Sequence, residues 1–113
     1  MPKILIVDDE KNHRLMLKIH LEKDGYSIVE AENGFEALTI LSEDRSIDAI
    51  ILDIQMDVMD GLTFLSKAAE LGELKPVVMV SAFDNAQYAV KSMKLGAVDY
   101  LTKPVDIEHL KDI

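Results

Sequence analysis

The chain has 113 residues, of which 49% are hydrophobic and 29% charged, a length and composition typical of one globular domain with a single core. Its 21 acidic and 12 basic residues give a formal charge of −9, which disfavours direct binding to the phosphate backbone of nucleic acids. Cysteine is absent, so disulfide frameworks and thiolate metal sites are excluded.

In chain order, short aliphatic or β-branched segments alternate with segments of helical length and period. The short segments predict strands at residues 3–7, 27–31, 48–52, 77–80 and 98–101. A first helix follows strand 1 and ends at Asp24-Gly25, where glycine supplies a left-handed cap. Its inward stripe is predicted to consist of His13, Met16, Leu17, His20 and Leu21.

The later helices follow the other strands. They are predicted at about residues 34–43, from Gly61 to a stop at Gly72, and at about residues 84–95 before Gly96. A fifth begins at Asp106, a good N-cap residue, and the chain ends about two turns into it. Inward positions on the second and third helices are expected at Ala37, Leu38, Leu41, Leu62, Leu65 and Ala69.

Five β-α units in series predict an α/β fold with a parallel sheet, because each strand must return through a helical crossover. Right-handed crossovers leave few topologies, and we expect the doubly wound (βα)5, flavodoxin-like order 2-1-3-4-5. Ligands of such sheets bind beyond the carboxyl ends of the strands, where the winding reverses. The residues that follow strands 1 and 3 are therefore the first candidates for a site.

The strand ends carry three carboxylates, one hydroxyl and one ammonium group. These are Asp8, Asp9, Asp53, Ser81 and Lys103. Clustered carboxylates repel one another, and an oxygen-rich cluster of this kind suits a hard divalent cation such as Mg²⁺, with Mn²⁺ as a second choice. A lysine and a hydroxyl can bind phosphoryl oxygens, and aspartate can act as a nucleophile that forms an acyl phosphate. The pattern indicates phosphoryl transfer to a carboxylate.

Over the whole chain, Asp8-Asp9, Asp53, Ser81 and Lys103-Pro104 resemble the signature of receiver domains of two-component response regulators. The resemblance implies that Asp53 is the phosphoacceptor. It also implies that Asp9 binds Mg²⁺ directly, that Asp8 does so mainly through water, and that the backbone carbonyl of Gln55 completes the protein ligands.

By the same resemblance, Ser81 is the switch hydroxyl, Lys103 the phosphate-binding lysine and Tyr100 the aromatic residue whose rotamer reports activation. The bond before Pro104 resembles the cis peptide of the family; only about 5–6% of X-Pro bonds are cis. Asp57 departs from the pattern, because the family usually has proline there. Residues 89–104 are similar to receivers of the NtrC type.

The resemblance also implies partners. A sensor histidine kinase would donate the phosphoryl group, and a surface of helix 4, strand 5 and helix 5 would form a homodimer. The output domain, expected to be transcriptional, lies outside this chain. We expect residues 1–113 to be one receiver domain taken from a longer regulator and cut within its fifth helix. Such a domain is not an enzyme, since it catalyses only its own phosphorylation and dephosphorylation.

The N-terminus predicts a cytoplasmic protein without a membrane segment. Residues 1–3 lead directly into a short apolar run without the longer stretch and cleavage site of a signal peptide. The longest apolar runs, residues 49–52 and 76–80, are too short to cross a bilayer.

Three other functions compete with this one. An aspartate-nucleophile phosphohydrolase of small phosphate esters would carry an Asp-x-Asp pair after strand 1, which Asp8-x-Glu10 matches poorly. A flavin-binding module would need a phosphate loop where this chain has acids. A receiver used only for docking would lack part of the site.

His13 and His20 are two turns apart, too far to share a metal, and are expected at the edge of the core. Glu10 could join the metal site or cap the first helix.

Overall fold

Nine helices and strands alternate along the part of the chain that the computed structural model describes, which is residues 2–53, 61–72, 75–81 and 86–102. The strands are β1 (Lys3–Val7), β2 (Ser27–Ala31), β3 (Ala49–Asp53), β4 (Val77–Ser81) and β5 (Asp99–Thr102). The helices are α1 (Lys11–Lys23), α2 (Gly34–Glu43), α3 (Gly61–Glu70) and α4 (Ala86–Lys94). The predicted fifth helix, from Asp106, lies outside the described residues.

The five strands form one parallel sheet in the order β2-β1-β3-β4-β5, which confirms the predicted fold class and strand order. β1 and β3 lie side by side, with Val7 paired with Leu52. β4 lies on the other side of β3, and Asp53 is paired with Val80. The winding therefore reverses between β1 and β3, and their carboxyl ends meet at one edge of the sheet.

The apolar residues of each strand supply two core layers, because successive side chains point to opposite faces. Leu5 and Val7 of β1 pack into the larger layer, under α2 and α3, while Ile4 and Ile6 pack into the smaller layer under α1. Phe64 of α3 is fully buried in the larger layer. The sheet is thus covered on both faces.

Helix ends follow the local signals in the sequence. The side chain of Asn33 accepts a hydrogen bond from the amide of Glu36 (2.8 Å) and so caps α2. Gly25, beyond the end of α1, has φ of +93°, and Gly72, beyond α3, has φ of +70°. These are the left-handed conformations that glycine adopts most readily, and they confirm the predicted stops.

The inward face of α1 was predicted in part wrongly. Its buried residues are His13, Arg14, Leu17 and Leu21. At 100° per residue, this face is centred between Leu17 and Leu21. Arg14 lies close to this centre and is buried, whereas His20 lies farther from it around the helix and is exposed.

The inward face of α3 also differs from the prediction. Its buried residues are Gly61, Phe64, Leu65 and Ala68. The face that meets the sheet is rotated relative to the predicted one, so Ala69 is exposed and Leu62 only partly buried. Helical period alone indicates that a face exists, while the docking angle selects which residues it contains.

None of the helices in these ranges combines the length and the apolar character that a membrane crossing requires.

Candidate metal centre

Three carboxylates meet at the edge where β1 and β3 end. Asp8 directly follows β1, Asp9 comes next, and Asp53 is the last residue of β3. One carboxylate oxygen from each lies within 4.8 Å of the other two. Asp8 and Asp53 are almost fully buried, at 2% and 5% exposure, whereas Asp9 is exposed. Two of the three carboxylates in the cluster are therefore buried, and the third faces solvent.

This donor set fits a small, hard cation. Two unit negative charges 4.8 Å apart repel by ~0.9 kcal/mol at the dielectric constant of water and by ~3.5 kcal/mol at an effective constant of 20. A cation shared by the three carboxylates would convert that repulsion into attraction. In proteins, Mg²⁺ prefers a small number of oxygen ligands and access to solvent, from which it takes its water ligands. Mn²⁺ accepts the same donors.

Asp8 is held from all sides by its neighbours. Its amide donates to the carbonyl of Ala31 (3.1 Å). Its Oδ1 accepts a hydrogen bond from the amide of Glu10 (2.9 Å), and its Oδ2 lies 2.5 Å from Nδ1 of His13. Nη1 of Arg14 donates to the backbone carbonyl of Asp8 (2.6 Å). Both the main chain and the carboxylate of this residue therefore have a defined orientation.

Arg14 also ties the centre to the neighbouring strand β2. Its Nε donates to Oε1 of Glu30 at 3.3 Å, and its Nη2 lies 3.9 Å from Oε1 of Glu32. Lys18 adds a second cation 3.7 Å from Glu30. The buried guanidinium thus connects α1, the end of β1 and β2.

The contacts of His13 and Arg14 with Asp8 were missed by sequence reasoning, which placed His13 at the edge of the core and did not consider Arg14. The available signal was their position in the first turn of α1. Helical side chains point back towards the N-terminus of their helix, so side chains of that turn reach the strand end that precedes it. Glu10 stands at the N-cap of α1, but its side chain makes no capping hydrogen bond.

Ser81 and Tyr100 complete the predicted site residues that the structure describes. Ser81 is the last residue of β4, the strand next to β3, and is fully buried. Its sheet partner is Thr102, the final residue of β5. Tyr100 lies two residues before that end, is half-buried and packs against the larger core layer. Gln55, Asp57, Lys103 and Pro104 lie outside the described residues, so their predicted roles stay predictions.

The chain is similar to known proteins over almost its whole length. The family described as "Response regulator receiver domain" matches residues 4–113. The transcriptional regulatory protein ZraR of Salmonella typhimurium is 35% identical over 96% of this chain. The sporulation initiation phosphotransferase F of Bacillus subtilis is 34% identical over 97% of this chain and 88% of its own length. By contrast, the match spans only 24% of the length of ZraR.

A solved structure is similar throughout. The response regulator protein TrrA of Thermotoga maritima, crystallised in complex with Mg²⁺ and BeF, has 33% sequence identity and a TM-score of 0.87. The alignment covers 99% of this chain and 95% of that one.

Proposed function

This chain belongs to the family of response regulator receiver domains, and from that membership we propose that Asp53 is its phosphoacceptor. The phosphoryl group would come from a phosphohistidine of a sensor histidine kinase in a Mg²⁺-dependent reaction. The observation that carries the proposal is the meeting of Asp8, Asp9 and Asp53 within 4.8 Å. Three carboxylates at that spacing repel one another, and a cation that offsets their charge would also allow an anionic phosphoryl group to approach.

Among the three acids, Asp53 is best placed to act as the nucleophile. It ends the central strand β3, between β1 with its acidic pair and β4 with Ser81. Both oxygens of Asp8 already accept hydrogen bonds, and Asp9 is exposed to solvent, as suits a direct metal ligand. A carboxylate oxygen of Asp53 would form the new P–O bond while the P–N bond of the phosphohistidine breaks. The electron pair of the P–N bond would return to the imidazole ring.

The cation would be held by Asp8, Asp9 and Asp53, with the backbone carbonyl of Gln55 as a further ligand. When bound, Mg²⁺ supplies positive charge that offsets the carboxylates and the incoming phosphoryl oxygens. The buried hydroxyl of Ser81 would donate a hydrogen bond to one of those oxygens, and Lys103 would form an ion pair with another. These groups neutralise an anion that the acidic site would otherwise repel.

Phosphorylation would then bias two pre-existing conformations of the domain. Movement of Ser81 towards the phosphoryl group would leave room for Tyr100 to turn inward, which alters the surface of α4, β5 and the following segment. We assign homodimerisation to this surface. The chain would act as a switch and not as an enzyme on other substrates, in the cytoplasm and without direct contact to DNA.

The output is proposed to be transcriptional, through a domain outside this chain. ZraR carries "transcriptional regulatory protein" in its name and is about four times as long as the matched region. Phosphotransferase F, in contrast, is covered over 88% of its length, so receivers similar to this one occur both with and without a large additional segment.

The proposal is tested by incubation of the purified protein with Mg²⁺ and a small acyl phosphate, followed by intact-mass analysis. The wild type should gain the mass of one phosphate, and the Asp53→Asn variant and an EDTA-treated sample should gain none. Equal labelling of wild type and Asp53→Asn would place the chemistry elsewhere. Sustained turnover of small phosphate esters would instead favour a phosphohydrolase.

A further inference from the structure

His13 is a polar residue in an apolar place. It is the third residue of α1, is only 9% exposed and shares the inward face of that helix with Leu17 and Leu21. Its Nδ1 lies 2.5 Å from Oδ2 of Asp8. Its Nε2 is buried and has no hydrogen-bond partner in the part of the chain that the structure describes.

An aliphatic side chain would suit this position better if packing were its only role. Burial of a ring nitrogen without a partner is unfavourable, whereas a hydrocarbon of similar size carries no such penalty. The imidazole therefore gains one specific interaction in return for this cost, namely the hydrogen bond from Nδ1 to the carboxylate of Asp8. That carboxylate belongs to the metal centre.

The hydrogen bond restricts how Asp8 can turn. A carboxylate oxygen has two acceptor positions. The amide of Glu10 occupies one position on Oδ1, and His13 occupies one on Oδ2, so the two contacts fix the orientation of the carboxylate from both of its oxygens. With His13 removed, the carboxylate would lose its contact on Oδ2 and could rotate more readily about its Cβ–Cγ bond.

We infer that His13 is a positioning residue, which orients the Asp8 carboxylate for binding of the divalent cation. The inference rests on the proposed function, because it concerns the same metal centre. Outer contacts that orient metal ligands typically change metal affinity by about 10–100-fold when they are removed. Loss of the His13 bond should therefore weaken Mg²⁺ binding by about tenfold.

Three substitutions separate the hydrogen bond from the packing of the ring. In His13→Asn the side-chain amide nitrogen can take the place of Nδ1, so the donor to Asp8 is kept. In His13→Gln the amide reaches the position of Nε2, and the donor is misplaced. His13→Leu removes the donor and fills the space with hydrocarbon. Leu17→Ala, on the same buried face, is the control for damage to the core without contact to Asp8.

Mg²⁺ affinity is measured by isothermal titration calorimetry on the folded proteins, and the Mg²⁺ dependence of acyl-phosphate labelling is recorded in parallel. We expect about tenfold weaker binding for His13→Leu and His13→Gln, and values within about threefold of the wild type for His13→Asn and Leu17→Ala. The Mg²⁺ concentration that gives half-maximal acyl-phosphate labelling should be higher in His13→Leu and His13→Gln than in the wild type. The difference in labelling between these variants and the wild type should become smaller as the Mg²⁺ concentration is raised.

Two outcomes overturn the inference. Unchanged affinity in His13→Gln and His13→Leu would mean that Asp8 needs no such anchor, and equal losses in His13→Asn and His13→Gln would mean that the ring acts by packing alone. If His13→Leu does not fold, the two amide variants still decide between these results. Absence of saturable Mg²⁺ binding in the wild type would instead refute the proposed function itself.

Discussion

Removal of one acidic charge from the metal centre should stabilise the metal-free protein. In the Asp53→Asn variant the carboxylate becomes a neutral amide of almost the same shape, so packing at the end of β3 is kept. The repulsion of Asp53 from Asp8 and from Asp9 is abolished. An acidic cluster built to bind a cation should show this conflict between stability and function when the cation is withheld.

The size of the effect follows from the spacing of the cluster. The three carboxylate oxygens lie within 4.8 Å of one another, and each pair repels by ~0.9 to ~3.5 kcal/mol as the effective dielectric constant falls from 80 to 20. Asp53 and Asp8 are buried, while Asp9 is exposed and better screened. Asp53 takes part in two of the three pairs, so the repulsion removed is ~1.7 kcal/mol at a dielectric constant of 80 and ~7 kcal/mol at 20. Because solvent screens Asp9, we expect a value near the lower end, an increase of about 2 kcal/mol in the free energy of unfolding of Asp53→Asn.

Urea unfolding followed by circular dichroism measures this difference, first in EDTA and then in excess Mg²⁺ at matched ionic strength. In EDTA the variant should unfold at the higher urea concentration. In Mg²⁺ the wild type should gain stability as the bound state is populated, and the variant should gain less, so the difference shrinks or reverses. Glu43→Gln, at an exposed position on α2, controls for the change in net charge.

Two results would refute the reasoning. A metal-free Asp53→Asn that is less stable than the wild type would show that Asp53 contributes more through its other contacts than it costs through repulsion. An equal gain from Mg²⁺ in wild type and variant would show that the cation binds without Asp53.

Two further predictions concern the frame around the site. Phe64→Ala should lower the free energy of unfolding by about 3–5 kcal/mol, since this ring is fully buried in the larger core layer. Urea unfolding measures this loss of stability, and a loss below about 1 kcal/mol would contradict the packing described. A hydrogen bond from the Ser46 hydroxyl, followed by one from Lys3, lowers the pKa of Asp44 from 3.8 to about 2. A carboxyl group whose pKa is lower in the folded than in the unfolded state stabilises the protein at pH values above its unfolded-state pKa. This contribution disappears as the pH falls through the folded-state pKa. Asp44→Asn should therefore be slightly less stable than the wild type at pH 5–7, and thermal unfolding should show this deficit vanish towards pH 2; a deficit independent of pH would contradict the assignment.

The order of elements and the membership of the acidic cluster were predictable from the sequence for a simple reason. Each strand contains a short aliphatic or β-branched segment, and each helix has a glycine or a capping residue at a boundary, so both signals are local. Once the strands are parallel and the crossovers right-handed, few sheet orders are open. Residues that end neighbouring strands must then approach one another, which is why Asp8, Asp9 and Asp53 could be placed together without coordinates.

Strand ends were less certain. The third strand was predicted at residues 48–52, but β3 runs from Ala49 to Asp53. Asp48 instead accepts a hydrogen bond from the amide of Lys3 (2.8 Å) through its side chain. The amide of Asp48 also donates to the carbonyl of Lys3 (2.8 Å), and contacts between residues 45 positions apart have no signature in the local pattern.

What the sequence determined by itself is the sheet, its order and the acids that gather at its edge, because these follow from hydrophobic period, turn residues and the handedness of crossovers. Only the tertiary structure decided how α1 is rotated on the sheet. That rotation buries Arg14, exposes His20 and brings His13 against Asp8. The helical period is compatible with several such rotations, and the choice depends on how side chains from distant parts of the chain pack together.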